Sequence, residues 1–135
     1  MKYQVIYYSR KGSTKKLADV ISSELEISAE NVKDAKLSDD AFVFLGSGCY
    51  GSKPAKIMTK FIKDNNFKSN NIALFGTSGG GEGAEVNEME NLLKTKQTKI
   101  KGKFFCKGKF FIMNRGKPSN EDFEQAKSFA KRMME

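Results

Sequence analysis

A chain of 135 residues with 39% apolar and 11% aromatic content can build one core and falls within the size of one domain, 1–135. Lys and Arg number 24 against 16 Asp and Glu, a net charge of +8, and there is no His, which excludes chemistry built on a His base or a His-ligated metal. Two cysteines, Cys49 and Cys106, are too few for a zinc cluster or a disulfide framework. No apolar run approaches a membrane span, and the first residues carry no cleavage pattern, so the expectation is a cytoplasmic protein with reduced thiols.

Tyr3–Tyr8 reads as the first strand, nearly continuous in apolar character, as a strand buried on both faces should be. A helix follows on the face shared by Leu17, Ala18, Ile21 and Leu25, with Ser13 or Thr14 available to cap it. A weak strand pattern lies near Asn31–Lys36, and the stretch from Ser22 to Asp40 is too short for a full crossover, so the next helix is expected to shrink to a turn. Ala41–Leu45 and Ile72–Phe75 read as further buried strands. Between them, Ile57, Met58, Phe61 and Ile62 form a helical stripe after Pro54, which suits a first turn. Val86, Met89, Leu92 and Leu93 form another stripe behind a Gly-rich loop. Phe104–Met113 is studded with Lys and interrupted at Lys107-Gly108-Lys109, which places it at the sheet margin with a bulge. Phe123, Ala126, Ala130, Met133 and Met134 mark a last helix, opened by Ser119 and Asp122 as a capping box. Strand followed by helix, four times over, predicts an α/β fold with an open parallel sheet.

In such a sheet the strand carboxyl ends open on one edge, where ligands bind. Three strands here end in small polar loops, Ser9–Thr14, Gly46–Ser52 and Gly76–Gly83. The first offers hydroxyls from Ser9, Ser13 and Thr14, charges from Arg10 and Lys11, and Gly12 to let backbone N–H groups turn inward at a helix start. Its natural guest is a phosphate. A Walker loop is absent, which disfavours triphosphate hydrolysis. Gly46 to Gly51 fits G-x-G-x-x-G formally, but the next strand ends in Gly76-Thr77 instead of the acid that the dinucleotide fingerprint wants.

The segment Tyr7–Ala18 resembles the phosphate loop of the flavodoxin family, Thr/Ser-x-Thr-Gly-Asn-Thr. Ser9, Gly12 and Thr14 match, while Lys11 and Ser13 replace the usual Thr and Asn. Phe44–Gly51 resembles the family's second loop and Leu74–Gly79 its third, in family order and over nearly the whole chain. The resemblance implies a doubly wound sheet of about five strands in the order 2-1-3-4-5, with helices on both faces, and an FMN site. The phosphate would lie on Ser9, Arg10, Lys11, Gly12, Ser13 and Thr14. The flavin ring would lie between Ser47, Gly48, Cys49, Tyr50 and Gly51 on one side and Thr77, Ser78, Gly79, Gly80, Gly81 and Glu82 on the other. Tyr50 would stack on the ring, and the Gly51 peptide would turn to accept a bond from reduced N5.

Two features depart from the family. The third loop has no aromatic, which implies weaker stacking and a more mobile loop; Glu82 would sit near the flavin or, with Glu85 and Glu88, complement a helix N-terminus. The chain is also basic. Residues 1–70 and 71–135 share the charge evenly, and nine cations from Lys94 to Lys117 stand without an acid between Asn91 and Asn120. Acidic redox partners are therefore expected. Nucleic acid is the rival partner, although the stretch lacks interleaved Arg and exposed stacking aromatics. The function implied is a monomeric electron carrier cycling FMN through oxidised, semiquinone and hydroquinone states, with no membrane insertion. A small quinone or porphyrinogen reductase, or a flavin-free binding module, are the alternatives. Cys49 lacks a nearby resolving Cys and reads as a packing residue.

Overall fold

The computed structural model describes residues 2–109 and 116–135. In chain order the elements are β1 (Tyr3–Tyr8), α1 (Ser13–Glu24), β2 (Glu30–Asn31), β3 (Phe42–Gly48), α2 (Lys56–Asp64), β4 (Asn71–Ser78), α3 (Ala84–Lys94), β5 (Lys99–Lys107) and α4 (Asn120–Met134). The five strands form one sheet in the order β2-β1-β3-β4-β5, with every pairing parallel. This is the doubly wound α/β architecture expected.

Alternation along the buried strands divides the core into two layers. Val5, Tyr7, Phe42, Phe44, Ala73 and Phe75 face α1 and α4, with Leu17, Ile21, Ala126 and Phe129. Ile6, Val43, Leu45, Ile72 and Leu74 face α2 and α3, with Met58, Ile62, Val86, Met89 and Leu93. Each strand residue thus meets apolar side chains on whichever face it points to, so the strands read as unbroken apolar runs. Phe44 and Phe129 meet edge to face at 6.0 Å, a geometry favoured by the ring quadrupoles. Gly46 lies in register between Tyr7 and Phe75. A Cβ there would fall 2.1 Å from the Phe75 ring, so the ring occupies the space that a side chain would need.

The crossover from β2 to β3 holds no helix, and residues 32–34 form the turn that the short segment predicted. Two buried amides satisfy this non-helical backbone. Gln4 Nε2 donates to the Lys36 carbonyl at 2.8 Å, and its Oε1 accepts from Ser38 N–H at 3.0 Å. Asn70 Nδ2 donates to the carbonyls of Ser38 and Ala41, each at 2.9 Å.

Several details differ from the sequence reading. β2 is Glu30–Asn31 instead of Asn31–Lys36; both of its residues pair with β1, opposite Ile6 and Tyr7. α2 begins at Lys56 with Ala55 as its cap, two residues beyond Pro54. β5 spans Lys99–Lys107, earlier than Phe104–Met113, and residues 110–113 of that expectation lie outside the described residues. Its irregularity falls opposite Ile72/Ala73, where Lys101 is the extra residue, and not at Gly108. The capping box of α4 is complete, with Ser119 and Asp122 each accepting from the other's backbone N–H.

Candidate functional site

The C-terminal ends of β1, β3 and β4 open on one edge of the sheet, and their three loops surround a cavity of about 170 Å³. Its lining comprises Ser9, Arg10, Lys11, Ser13 and Thr14 from the first loop, Gly48, Cys49 and Tyr50 from the second, and Thr77, Ser78 and Gly79 from the third. Gly108 and Lys109, just beyond β5, complete the wall. Of the residues singled out in the sequence, Gly12, Ser47, Gly51, Gly80, Gly81 and Glu82 do not line it. Gly12 acts one step removed: it caps α1 with φ of 97°, a backbone that a side chain would strain. Ser47 is buried and structural, accepting from Ala55 N–H at 3.0 Å while its own hydroxyl donates to the Gly48 carbonyl.

Ser13 and Thr14 are not the helix cap. They lie inside α1, and their hydroxyls are directed across the loops. Ser13 Oγ accepts from Lys109 N–H at 2.9 Å, and Thr14 Oγ1 meets Thr77 Oγ1 at 2.8 Å. Ser9 Oγ accepts from Gly12 N–H at 3.0 Å. A hydroxyl that accepts from a backbone N–H keeps its own proton to donate. Ser9 and Ser13 therefore present O–H donors at a helix N-terminus, beside the charge of Lys11, an arrangement that suits an anion without a metal.

A stacked pair borders the cavity. The Arg10 guanidinium lies 4.8 Å from the centre of the Tyr50 ring, and Arg10 N–H donates to Tyr50 Oη at 3.2 Å. The same Tyr50 hydroxyl bends back over Gly48, where a Cβ would meet it at 2.6 Å. Burial pushes the Tyr50 phenol up, so it stays a neutral hydrogen-bonding group. Arg10 thus lines the cavity with its guanidinium resting on an aromatic face.

Behind the cavity lies a group that sequence reasoning missed. Glu85 is completely buried; no partner meets its carboxyl oxygens at ordinary hydrogen-bond geometry, and only its own backbone N–H and the Cys49 thiol are near enough to favour its charge. Burial pushes its carboxyl from 4.5 up to about 7. Cys49 stands against it, and burial followed by the Glu85 charge pushes that thiol up. Cys106 is pushed up by burial to about 12. Both shifts favour the thiol form. In the sequence Glu85 read as a charge at a helix start, but it is four residues before Met89 on the buried stripe, and that spacing could have revealed it. Gly108 and Lys109 were missed because they read only as an interruption of a strand.

Residues 4–114 match the model of the flavodoxin domain family, and the chain belongs to that family. It is 32% identical over 151 residues to the uncharacterised protein MJ0298 of Methanocaldococcus jannaschii, with 99% of both chains covered. Among solved structures, a flavodoxin from the domain Archaea superposes with a TM-score of 0.80 at 21% identity, covering 98% of this chain and 96% of its own. The flavodoxin of Fusobacterium nucleatum bound to flavin mononucleotide superposes at 0.77 with 12% identity, covering 98% and 96%.

Proposed function

We propose that this protein is an FMN-dependent electron carrier. The observation that carries the reading is the cavity at the carboxyl edge of the sheet, where three loops converge on inward hydroxyl donors. In this reading Ser9, Ser13, Thr14 and Lys11 hold the phosphate, with Gly12 setting the turn. Thr77, Ser78 and Gly79 border the ribityl chain, and Gly48, Cys49 and Tyr50 border the ring. The similarity to a flavodoxin that holds flavin mononucleotide supports the same cofactor here. When bound, FMN supplies reversible electron transfer, and the protein supplies position, access and local charge. About 170 Å³ is less than typical ligand pockets of roughly 300–1,000 Å³. It has room for a phosphate and a polyol chain, with the ring lying toward the open side bordered by Tyr50 in this reading.

A groove beside the cavity favours an acidic redox partner. It shares Arg10 and Tyr50 with the cavity and continues past Lys53, Lys56, Lys60 and Lys63, with Asp64 and Glu88 as its acids. Lys60 already pairs with Asp64, so the cations remain in excess. Charges of one sign beside a redox site raise the rate of oriented encounter with an opposite surface. The groove's position beside the cavity supports the reading that attraction acts close to the point where electrons would enter. The carrier is proposed to act as a monomer in the cytoplasm.

Calorimetry with FMN and riboflavin tests the reading. Replacing Ser13 and Thr14 together with Ala is expected to weaken FMN at least tenfold while leaving riboflavin, which has no phosphate, nearly unchanged. Equal losses for both ligands, or no flavin binding by the parent protein, would refute it.

A further inference from the structure

Among the described residues two acids are buried, and they are held in opposite ways. Asp122 closes the α4 capping box. Burial opposes its charge, but the backbone and hydroxyl of Ser119, together with Lys117, outweigh that and hold its carboxyl below the usual range. Glu85 has weaker support: only its own backbone N–H and the Cys49 thiol favour the charged form, and burial outweighs both. Both its oxygens are buried without a partner at ordinary hydrogen-bond geometry. In this surrounding a lasting negative charge is costly, and a carboxyl keeps its proton.

The position of Glu85 gives that proton a use. It lies in the first turn of α3, and its carboxyl occupies the space that Gly76 leaves on β4. A Cβ on Gly76 would fall 2.1 Å from Glu85 Oε2. Gly76 is in register with Ser47 on β3 and precedes Thr77 and Ser78, which line the cavity. Cys49, also in the cavity wall, is near enough for the Glu85 charge to act on its thiol. The carboxyl therefore sits directly behind the wall formed by the second and third loops. The groups that face it are few. Cys49 approaches from the loop after β3, and Cys106 from β5 also feels its charge. β4 contributes only Gly76 at this point. On the same helix Glu88 lines the outer groove, and Glu82, before the helix, is exposed. No ion pair among the described residues neutralises Glu85.

We propose that Glu85 is a proton-holding group behind the cavity, coupling the negative charge that the cavity accepts to uptake of a proton from solvent. With its proton on, the wall is neutral. With the proton off, a negative charge lies behind Cys49 and opposes both an anionic ligand and an added electron. With flavin bound, the cavity would gain one electron from a reduced donor protein, and one proton from solvent hydronium, leaving water, would form the O–H bond on the Glu85 carboxylate. The inference rests on the FMN reading of the cavity.

The test compares the parent protein with Glu85→Gln, which keeps the shape and removes the ionisation. FMN affinity is measured by calorimetry, and the midpoint potential by titration, at pH 6 and pH 8.5. The parent is expected to lose about tenfold more affinity than the variant across this range, the size of effect between like charges a loop's thickness apart. The titration of the FMN phosphate is common to both proteins and cancels in the ratio. The parent's potential is expected to fall more steeply with pH than the variant's. Infrared spectra of the flavin-free parent should show a protonated carboxyl band at pH 6 that fades through neutral pH and is missing from the variant. This readout needs neither cofactor nor activity. Tight FMN binding with the same pH dependence in both proteins would overturn the inference alone, as would a carboxylate already ionised at pH 6. Failure of both proteins to bind any flavin would overturn the cofactor reading and take the linkage with it.

Discussion

Replacing Glu85 with Gln should change how stability depends on pH even when no flavin is present. The carboxyl titrates at 4.5 in a solvated chain and at about 7 in the fold, because burial disfavours its charge. A folded-state value raised above the unfolded one means that the fold binds the proton more tightly. Its contribution is complete below pH 4.5 and is lost as the pH rises through about 7. At about 1.4 kcal/mol per pH unit, that interval comes to at most about 3–4 kcal/mol, a large share of the ~5–15 kcal/mol that holds a domain folded. The assay is urea unfolding of the flavin-free parent and variant at steps from pH 5 to pH 8.5, with the slope against urea compared to confirm that the same surface unfolds. Stability of the parent, taken relative to the variant, should fall across this window, and the variant should be the more stable protein above pH 7.5. Parallel curves would show that Glu85 is ionised throughout and that the argument from its unpartnered burial is wrong.

Two further predictions concern the sheet and the basic groove. Gly46→Ala forces a methyl into the Phe75 ring, so it should destabilise by about 1–3 kcal/mol in urea unfolding, as overpacking a closed core does; a neutral result would mean that the ring can move. Lys53→Glu with Lys56→Glu should leave FMN affinity within about twofold, since neither residue lines the cavity, but should slow reduction by an acidic donor. That slowing should shrink with added salt, as interactions screened over roughly 8 Å do; a salt-independent loss would point away from electrostatic docking.

Much of the fold was legible because its causes are local and periodic. Three strands buried on both faces announced themselves as apolar runs, and the helices between them by their stripes. The edge was harder. β5 alternates Lys with Ile100, Phe104 and Cys106 because only part of it is covered, so its apolar density misplaced it toward the following Phe-rich run. The loops of the cavity could be identified as a set, since small polar residues at three strand ends have few other uses. Which of those residues face inward was less visible, because that depends on pairings between distant loops, such as Thr14 with Thr77 and Ser13 with Lys109. Glu85 was hidden for the same reason. An acid in a first helical turn ordinarily answers the helix dipole, and only the empty place at Gly76, nine residues earlier in another element, shows that it points into the protein.

The third loop shows how one such pairing alters an energetic argument. Glycines at 79, 80, 81 and 83 imply a large ordering cost, since each has more freedom to lose than any other residue. The loop is nevertheless tied at several points. Ser78 Oγ accepts from Gly81 N–H at 2.8 Å, and the Ser78 carbonyl accepts from Gly108 N–H at 2.9 Å. Phe105 of β5 packs on Gly83, where a Cβ would meet its ring at 2.8 Å. Lys109 N–H, one residue beyond Gly108, holds Ser13. The end of the edge strand therefore binds the first and third loops to each other, and it supplies beside the third loop an aromatic ring that the loop itself lacks. Part of the ordering cost is met by folding, before any ligand arrives, and a site whose loops are already ordered loses less free energy when it binds. The Lys-Gly-Lys interruption that looked like an edge defect is thus the segment that lets a glycine-rich loop serve as a wall.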